Sequence, residues 1–156
     1  QIAQGKYLFL INNDTYLTED GLPVLIERLE SDPRIGAVSP KIRFAFPPQS
    51  IQFAGYTKLS RYTMRNKALG MGCPDDGTFD TPRPSAYLHG AALMLKREVI
   101  WKAGLMPEIY FLYYEELDWC TSMTRAGYQL WYEPRCTIFP KRAKVPGGKA
   151  LSAPFI

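Results

Sequence analysis

Two short polar segments of the 156-residue sequence combine residue types that could do chemistry. The first is Asn12-Asn13-Asp14, which directly follows the apolar run Tyr7–Ile11. Such a run predicts a buried strand, and open α/β sheets bind ligands where their strands end. A carboxylate there can hold a hard divalent cation, which often shares its oxygen ligands with substrate phosphates. The alternative is an ordinary polar turn, because Asn and Asp favour turns.

The second segment is Glu115-Glu116-Leu117-Asp118, in which three carboxylates crowd into four residues. Acidic side chains in the first turn of a helix contribute about 0.3–1 kcal/mol each by complementing the helix dipole. The alternative interpretation is a general base held at a helix N-terminus, within reach of a substrate hydroxyl. A glycoside hydrolase would need a second carboxylate across a cleft, and Asp14 is a distant candidate for that role.

Other reactive residue types are sparse. His89 is the only histidine, and nothing around it resembles a nucleophile elbow. Cys73, Cys120 and Cys136 are odd in number and widely spaced, which argues against a disulfide scaffold and a structural zinc site. We therefore expect reduced thiols and no Ser-His-Asp or Cys-His mechanism.

The elements that must position these residues follow the pattern of an α/β fold. After the first strand, Thr18 is a plausible N-cap, and a helix should follow whose apolar stripe comprises Leu22, Leu25, Ile26 and Leu29. Residues 35–38 predict the next strand. Strand, helix and strand in this order predict a mainly parallel, mixed sheet with flanking helices.

The remainder of the sequence predicts shorter elements. Residues 42–46, 51–56 and 58–62 could form short strands, and residues 69–84 are rich in Gly, Pro and Asp, as in a long loop. Residues 87–95 are strand-like. We expect helices over residues 96–103 and 115–126, strands over 129–132 and 136–139, and a loose basic tail over 140–156.

Charge and hydropathy restrict the partners and the cellular location that the sequence allows. The net charge is +4, and residues 33–74 contain seven cations without an acid. This basic stretch could be solvated surface or could face a phosphorylated ligand. Nucleic acid is a poor candidate partner, because zinc-finger, RNP-like and basic heptad patterns are absent from the sequence.

No apolar run approaches the roughly 20 residues of a membrane span, and the N-terminus lacks a signal-peptide pattern. We expect a cytoplasmic location, with at most peripheral contact with a membrane surface.

Three segments, in this order, resemble the family 2 glycosyltransferases. They are residues 7–15 (YLFLINNDT), residues 88–98 (LHGAALMLKRE) and residues 113–120 (YYEELDWC), the last followed by RAGY and WYEP. Family members are inverting enzymes of the GT-A fold and include rhamnosyltransferase-like proteins. The resemblance covers residues 3–139.

The resemblance implies roles for individual residues. Asp14 would hold a divalent cation, Mg²⁺ or Mn²⁺, with Asn12 in place of the first Asp of a DXD motif. The general base falls on Glu116, with Asp118 as the second choice and Glu115 as a positioning partner. Residues assigned to the nucleotide-sugar donor are Asn13, Thr15, Lys141 and Arg142. Residues assigned to the acceptor are His89, Gly90, Ala91 and Trp119.

The sequence departs from the family pattern at three points. Glu116 replaces the usual Asp, and Phe-Pro-Lys-Arg at 139–142 replaces a region where many members have a metal-binding His. The chain also begins after the βα units that normally precede the Asn-Asn-Asp strand. Residues 1–139 therefore look like the C-terminal two-thirds of an N-terminally truncated catalytic domain.

The function implied is transfer of a sugar, with inversion, from a nucleotide-diphosphate sugar to a glycan or lipid-linked acceptor. Such enzymes build bacterial-type polysaccharides and cell envelopes. The alternative is a non-catalytic sugar-binding module or subunit fragment of the same fold, which the departures from the family pattern favour.

Overall fold

The computed structural model describes residues 3–18, 20–110 and 114–140. Its elements are, in chain order, β1 (Tyr7–Ile11), β2 (Thr15–Leu17), α1 (Gly21–Glu30), β3 (Ile35–Arg43), β4 (Ile51–Phe53), β5 (Arg83–Pro84), β6 (Ala92–Lys96), α2 (Arg97–Ala103), α3 (Glu115–Arg125) and β7 (Gln129–Pro140). In this part of the chain, no helix is long and apolar enough to cross a membrane.

The strands form one mixed sheet in the order β1-β6-β3-β7-β2, with β4 beside β3 and β5 beside β7. The prediction of a mixed sheet with flanking helices is confirmed. The emphasis on parallel pairing is corrected, because among the described pairs β3 and β7 are parallel and the others antiparallel. Strands β1 and β3 still run in the same direction, since β6 lies antiparallel between them.

Helices cover both faces of this sheet because successive strand residues point to opposite sides. On β6, Leu93 and Leu95 join a core cluster with α2 and α3, which contribute Val99 and Trp119 among others. Met94, between them, joins the cluster of α1 on the opposite face. The sheet therefore lies between α1 and the α2–α3 pair.

The start of the first helix differs from the prediction. Helix α1 begins at Gly21, and Asp20 rather than Thr18 occupies the N-cap position. The hydroxyl of Thr18 instead accepts a hydrogen bond from the Thr137 N–H at 3.5 Å. Thr18 is held beside β7 because the preceding strand β2 pairs with β7. Leu25 and Leu29 are buried as predicted, whereas Leu22 is exposed.

The two strands predicted at 129–132 and 136–139 form one strand, β7. Its register against β3 shifts between Pro40 and Lys41, where a proline cannot donate to the ladder. Residues 133–135, between the two predicted strands, do not end β7. The carboxylate of Glu133 is fully buried there between Arg28 and Arg135.

The middle of the chain is less regular than predicted. Strand β3 extends to Arg43, β4 is only three residues long, and residues 58–62 form a turn rather than a strand. The long loop predicted at 69–84 ends in β5, and Asp75 and Asp80 tie it to the buried ammonium of Lys41 on β3. Residues 141–156 lie outside the described residues, so the boundary at 139 and the loose tail stay predictions.

Candidate active site

The Asn-Asn-Asp segment and the 89–91 segment meet where β1 ends and β6 begins. Because these strands are antiparallel, Ile11 pairs with Ala92, and the Asn12 N–H donates to the Ala91 carbonyl at 3.0 Å. The Thr15 N–H closes the following turn on the Asn12 carbonyl at 3.2 Å. Asn12, Asn13 and Asp14 are exposed in this turn.

The turn before β6 is fixed by its own side chains and by β3. The Ala91 N–H donates to Nδ1 of His89 at 3.1 Å, and the His89 N–H donates to Oγ of Ser39 at 3.4 Å. The His89 ring lies edge-on to Phe53 at 5.5 Å and parallel to Tyr56 at 6.3 Å. Both backbone and ring of His89 are therefore held in place.

Gly90 lies directly against the carboxylate of Glu116. A Cβ atom on Gly90 would lie 1.7 Å from Oε1 and 2.6 Å from Cδ of Glu116, far inside van der Waals contact. The φ angle of Gly90 lies outside the left-handed region, so glycine provides space here rather than an unusual backbone conformation. This contact joins the first turn of α3 to the turn that also contacts Asn12.

The environment of Glu116 favours its neutral form. Burial raises the pKa of Glu116; a hydrogen bond from its own backbone N–H lowers it, and the charge of Glu115 raises it, so that the pKa stays above its ordinary value. Within residues 3–18, 20–110 and 114–140, no cation forms a salt bridge with this carboxylate. A carboxyl group whose pKa is raised in this way is suited to accept a proton near neutral pH.

Two neighbours of Glu116, Tyr56 and Cys120, are not among the predicted site residues. Burial, followed by the charges of Glu116 and Cys120, raises the pKa of Tyr56. Burial also raises the pKa of Cys120 to about 12, and its sulfur accepts a hydrogen bond from the Leu88 N–H at 3.3 Å. Cys120 could have been found, because it is one helical turn after Glu116 and shares its face. Tyr56 has no local signal.

The other two acidic residues of α3 occupy different surroundings. Asp118 accepts a hydrogen bond from the Tyr110 hydroxyl at 3.2 Å, whereas Glu116 faces Gly90. Residues two apart on a helix do not share a face, which explains the separation. Oε2 of Glu115 is buried without a hydrogen-bond partner among the described residues.

Trp119 does not line the site. Its side chain packs in the core between the sheet and α3, and its indole N–H donates to the Gly104 carbonyl at 2.8 Å. This placement corrects the assignment of Trp119 to acceptor binding, because neither the ring face nor the N–H is available to a sugar.

The residues present fit a cation that is shared with a substrate. No group of three or more His, Cys, Asp or Glu side chains within the described ranges could hold a metal by itself. The exposed carboxylate of Asp14 and amide of Asn12 offer hard oxygen ligands, and such a cation commonly completes its shell with substrate phosphates and water. Nearby, Oγ1 of Thr15 is buried and finds no hydrogen-bond partner in the described part of the chain.

The end of β7 lies beside this turn. Thr15 pairs with Pro140, the last described residue of the strand. Lys141 and Arg142 follow Pro140 in the chain but lie outside the described residues. Their assignment to the donor therefore stays a prediction.

Comparison with known proteins finds a similar rhamnosyltransferase. The chain is 23% identical over 150 residues to an N-acetylglucosaminyl-diphospho-decaprenol L-rhamnosyltransferase of Mycobacterium tuberculosis, found in the CDC 1551 / Oshkosh and ATCC 25618 / H37Rv strains. The match covers 90% of this chain and 48% of each relative, so the chain spans about half their length. No protein-family model matches.

A solved structure shares the fold. The crystal structure of GalNAc-T7 with UDP, GalNAc and Mn²⁺ superposes with a TM-score of 0.67 at 16% identity, over 90% of this chain and 28% of that one. The chain has a GT-A-like glycosyltransferase fold, and its sequence is similar to that of a rhamnosyltransferase. The resemblance inferred from the three motifs is thereby confirmed.

Proposed function

We propose that the GT-A-like chain is the acceptor-activating part of a glycosyltransferase that uses a nucleotide-diphosphate sugar. The observation that carries this proposal is the contact between Glu116 and Gly90. It places a carboxylate with a raised pKa against the turn that hydrogen-bonds to Asn12. The proposed proton acceptor and the turn proposed to face the donor phosphates thus contact the same 89–91 segment.

The reaction follows from these positions. Glu116 takes the proton of an acceptor hydroxyl, and the hydroxyl oxygen bonds to the anomeric carbon as the nucleoside diphosphate leaves from the opposite face. This single displacement inverts the anomeric centre. Glu115, whose charge raises the pKa of Glu116, strengthens the basicity of that carboxylate.

Asp14 and Asn12 are the residues that would hold a divalent cation, Mg²⁺ or Mn²⁺, against the donor diphosphate. Such a cation would offset the negative charge that develops on the leaving group. Asn13 and Thr15 share the same turn, which supports their predicted contact with the donor.

The turn at 89–91 supports the acceptor side of the proposal. Gly90 lies against Glu116 in the turn that it shares with His89 and Ala91, where an acceptor hydroxyl would approach the proposed base. The named relative acts on N-acetylglucosaminyl-diphospho-decaprenol, which suggests a lipid-linked sugar as acceptor and a role in cell-envelope polysaccharide synthesis.

The first test measures donor binding through the melting temperature of this chain. UDP, dTDP and GDP are each added with and without Mn²⁺, because a ligand that binds only the folded state stabilises it. We expect one nucleotide to raise the melting temperature in a cation-dependent way, and Asp14→Asn to remove that increase. Asp76→Asn, on the loop tied to β3, is the matched control.

Absence of any shift with all three nucleotides would count against donor binding by this chain. Glycan binding that does not depend on nucleotide would favour the non-catalytic alternative. Release of sugar from a glycan without a nucleotide donor would favour hydrolysis.

A further inference from the structure

The most exposed basic segment of the described chain is a hairpin, residues 55–69, which we call the basic hairpin. Its stem is closed by hydrogen bonds from the Leu69 N–H to the Gly55 carbonyl at 2.8 Å and from the Thr57 N–H to the Lys67 carbonyl at 3.0 Å. Its tip is closed by the Ser60 N–H, which donates to the Arg65 carbonyl at 2.9 Å. The backbone therefore presents the tip in a defined shape.

The cations of the basic hairpin differ from the other cations of the acid-free stretch. Each of the others forms a salt bridge: Arg34 with the nearby Asp32, and Lys41 and Arg43 with the loop that carries Asp75 and Asp80. The hairpin cations are exposed, and none forms a salt bridge within the described residues; they are Lys58, Arg61, Arg65 and Lys67. Four positive charges are therefore presented to solvent, with no neutralising carboxylate in the described part of the chain.

Large apolar side chains lie between these cations. Tyr62 is 99% exposed and Met64 is 63% exposed, both between Arg61 and Arg65 in the sequence. Aromatic side chains flanked by Lys or Arg are typical of segments at a membrane–water interface, where the ring enters the headgroup layer and the cations contact lipid phosphates. A purely electrostatic partner such as duplex DNA leaves the exposure of Tyr62 and Met64 unexplained.

The stem of the basic hairpin lies at the candidate active site. Tyr56 in the stem is parallel to the ring of His89, and its pKa is raised by burial and by the charge of Glu116. A membrane that held the tip would therefore present its lipid-linked molecules to the same part of the fold. This last link rests on the proposed function, but the docking itself does not.

We propose that the basic hairpin docks the chain onto an anionic bilayer, with its four cations on lipid phosphates and with Tyr62 and Met64 in the headgroup layer. Each Lys or Arg near an anionic bilayer is worth about a fivefold change in partitioning, and this contribution is screened by salt. Binding should therefore require anionic lipid and should weaken at high ionic strength.

The test is flotation of the chain with vesicles of phosphatidylcholine alone and with vesicles of phosphatidylcholine and phosphatidylglycerol in equal amounts. We expect binding to the second vesicles only. Arg61→Gln/Arg65→Gln should lower partitioning by about 25-fold, as expected for two cations. Tyr62→Ser, which leaves the charge unchanged, should lower it by roughly threefold or more.

The matched control is Lys102→Gln/Arg125→Gln, which removes the same net charge from exposed positions. Arg125 ends α3, roughly 14 Å along the helix axis from Glu116, and Lys102 lies over the Tyr128 ring at the same end. Partitioning of the control should stay within about twofold of the parent, since neither charge belongs to the basic hairpin that is proposed to contact the lipid phosphates.

Three results would overturn the docking proposal: no binding to phosphatidylglycerol vesicles, equal losses in the hairpin variant and the control, or binding to duplex DNA alone with the same sensitivity to Arg61→Gln/Arg65→Gln. Vesicle binding needs neither donor nor cation. A failure of the transferase proposal would therefore leave this outcome unchanged, and the reverse also holds.

Discussion

Two glutamates of this fold, Glu133 and Glu116, have pKa values that folding shifts in opposite directions. The carboxylate of Glu133 on β7 has no exposed area and accepts hydrogen bonds from Nε of Arg28 at 2.9 Å and Nε of Arg135 at 3.0 Å. Burial would raise the pKa of Glu133, but the hydrogen bonds and charges of these two guanidinium groups outweigh burial and lower it. Glu116 on α3 is also partly buried, yet its pKa is raised.

The difference lies in what neighbours each carboxylate. Glu133 is fully paired, and its charge holds α1 and β7 together. Glu116 faces a glycine, a second carboxylate and a buried tyrosine, so no cation in the described fold neutralises it. Removing one partner of a buried ion pair destabilises a fold, whereas a buried carboxylate without a countercharge lowers stability and keeps its proton affinity for a substrate.

The largest expected effect comes from making the same substitution at both glutamates. Glu116→Gln should lower transfer by roughly 10²–10⁴-fold, because it removes a general base and leaves the shape of the site unchanged. The measurement is the initial rate in a transfer-competent enzyme that contains these residues. Donor binding should persist.

Glu133→Gln is the control for that measurement, and its rate per folded molecule should match the parent. Asp118→Asn tests the second candidate for the base and should have the smaller effect, because Asp118 faces Tyr110. A normal rate in Glu116→Gln would assign the base to another residue.

The second prediction changes the neighbour rather than the carboxylate. In Gly90→Ala the new Cβ would overlap the Glu116 carboxylate, which must move aside because its atoms are the end of a flexible side chain. A displacement of about 1 Å at a catalytic group can lower the rate by roughly 10²-fold. The melting temperature should change little.

A double variant sharpens this test. Glu116→Asp shortens the side chain by one methylene, so Gly90→Ala/Glu116→Asp should recover part of the rate lost in Gly90→Ala. Gly36→Ala is the contrasting control, since its Cβ would lie 2.7 Å from Tyr128 in the core and should lower stability instead. Equal rates in Gly90→Ala and the parent would show that Glu116 is not held by this contact.

The third prediction concerns stability. Glu133→Gln should lower the free energy of unfolding by about 1–3 kcal/mol, because it weakens charged hydrogen bonds and leaves two guanidinium groups less well paired. Glu27→Gln is the matched control, since Glu27 pairs with the same Arg135 at an exposed position. Surface pairs contribute about 0–1 kcal/mol. Equal losses in both variants, measured by urea unfolding, would contradict the structural role of Glu133.

Local patterns predicted much of the fold. The apolar run of β1 and the acidic start and glycine end of α3 appear in the structure at nearly the predicted bounds. The continuity of β7 could not be predicted, because Glu133 is compatible with a strand only when Arg28, 105 residues away, pairs with it. The N-cap of α1 was missed because β2 draws Thr18 toward β7.

The candidate site was predictable as separate motifs but not as contacts. Asn12, Gly90 and Glu116 stood out by residue type, while their proximity depends on the pairing of β1 with β6 and on the packing of α3. Tyr56 joins them through the basic hairpin, part of which local propensity predicts as the short strands 51–56 and 58–62. The family resemblance assigned Trp119 to the acceptor, but aromatic side chains can contact sugars or fill cores, and burial places this one in the core.

The smallest expected effect concerns the pH dependence of stability. Because folding raises the pKa of Glu116, its contribution to stability is fully present below the ordinary value of 4.5 and is lost as the pH rises through the raised pKa. Glu116→Gln has no such loss, so its melting temperature at neutral pH should exceed the parent's by about 1–3 °C. The difference should disappear as the pH falls below 4.5.

Glu133 has the opposite sign, because its pKa is lowered on folding. Its contribution is present above the ordinary value of 4.5 and is lost as the pH falls through the lowered pKa. Melting curves recorded from neutral to acidic pH should therefore show Glu116→Gln above the parent and Glu133→Gln below it, with both differences shrinking toward acid. If Glu116→Gln melted below the parent at neutral pH, the Glu116 carboxylate would be a structural hydrogen-bond acceptor, and the contrast between the two glutamates would fail.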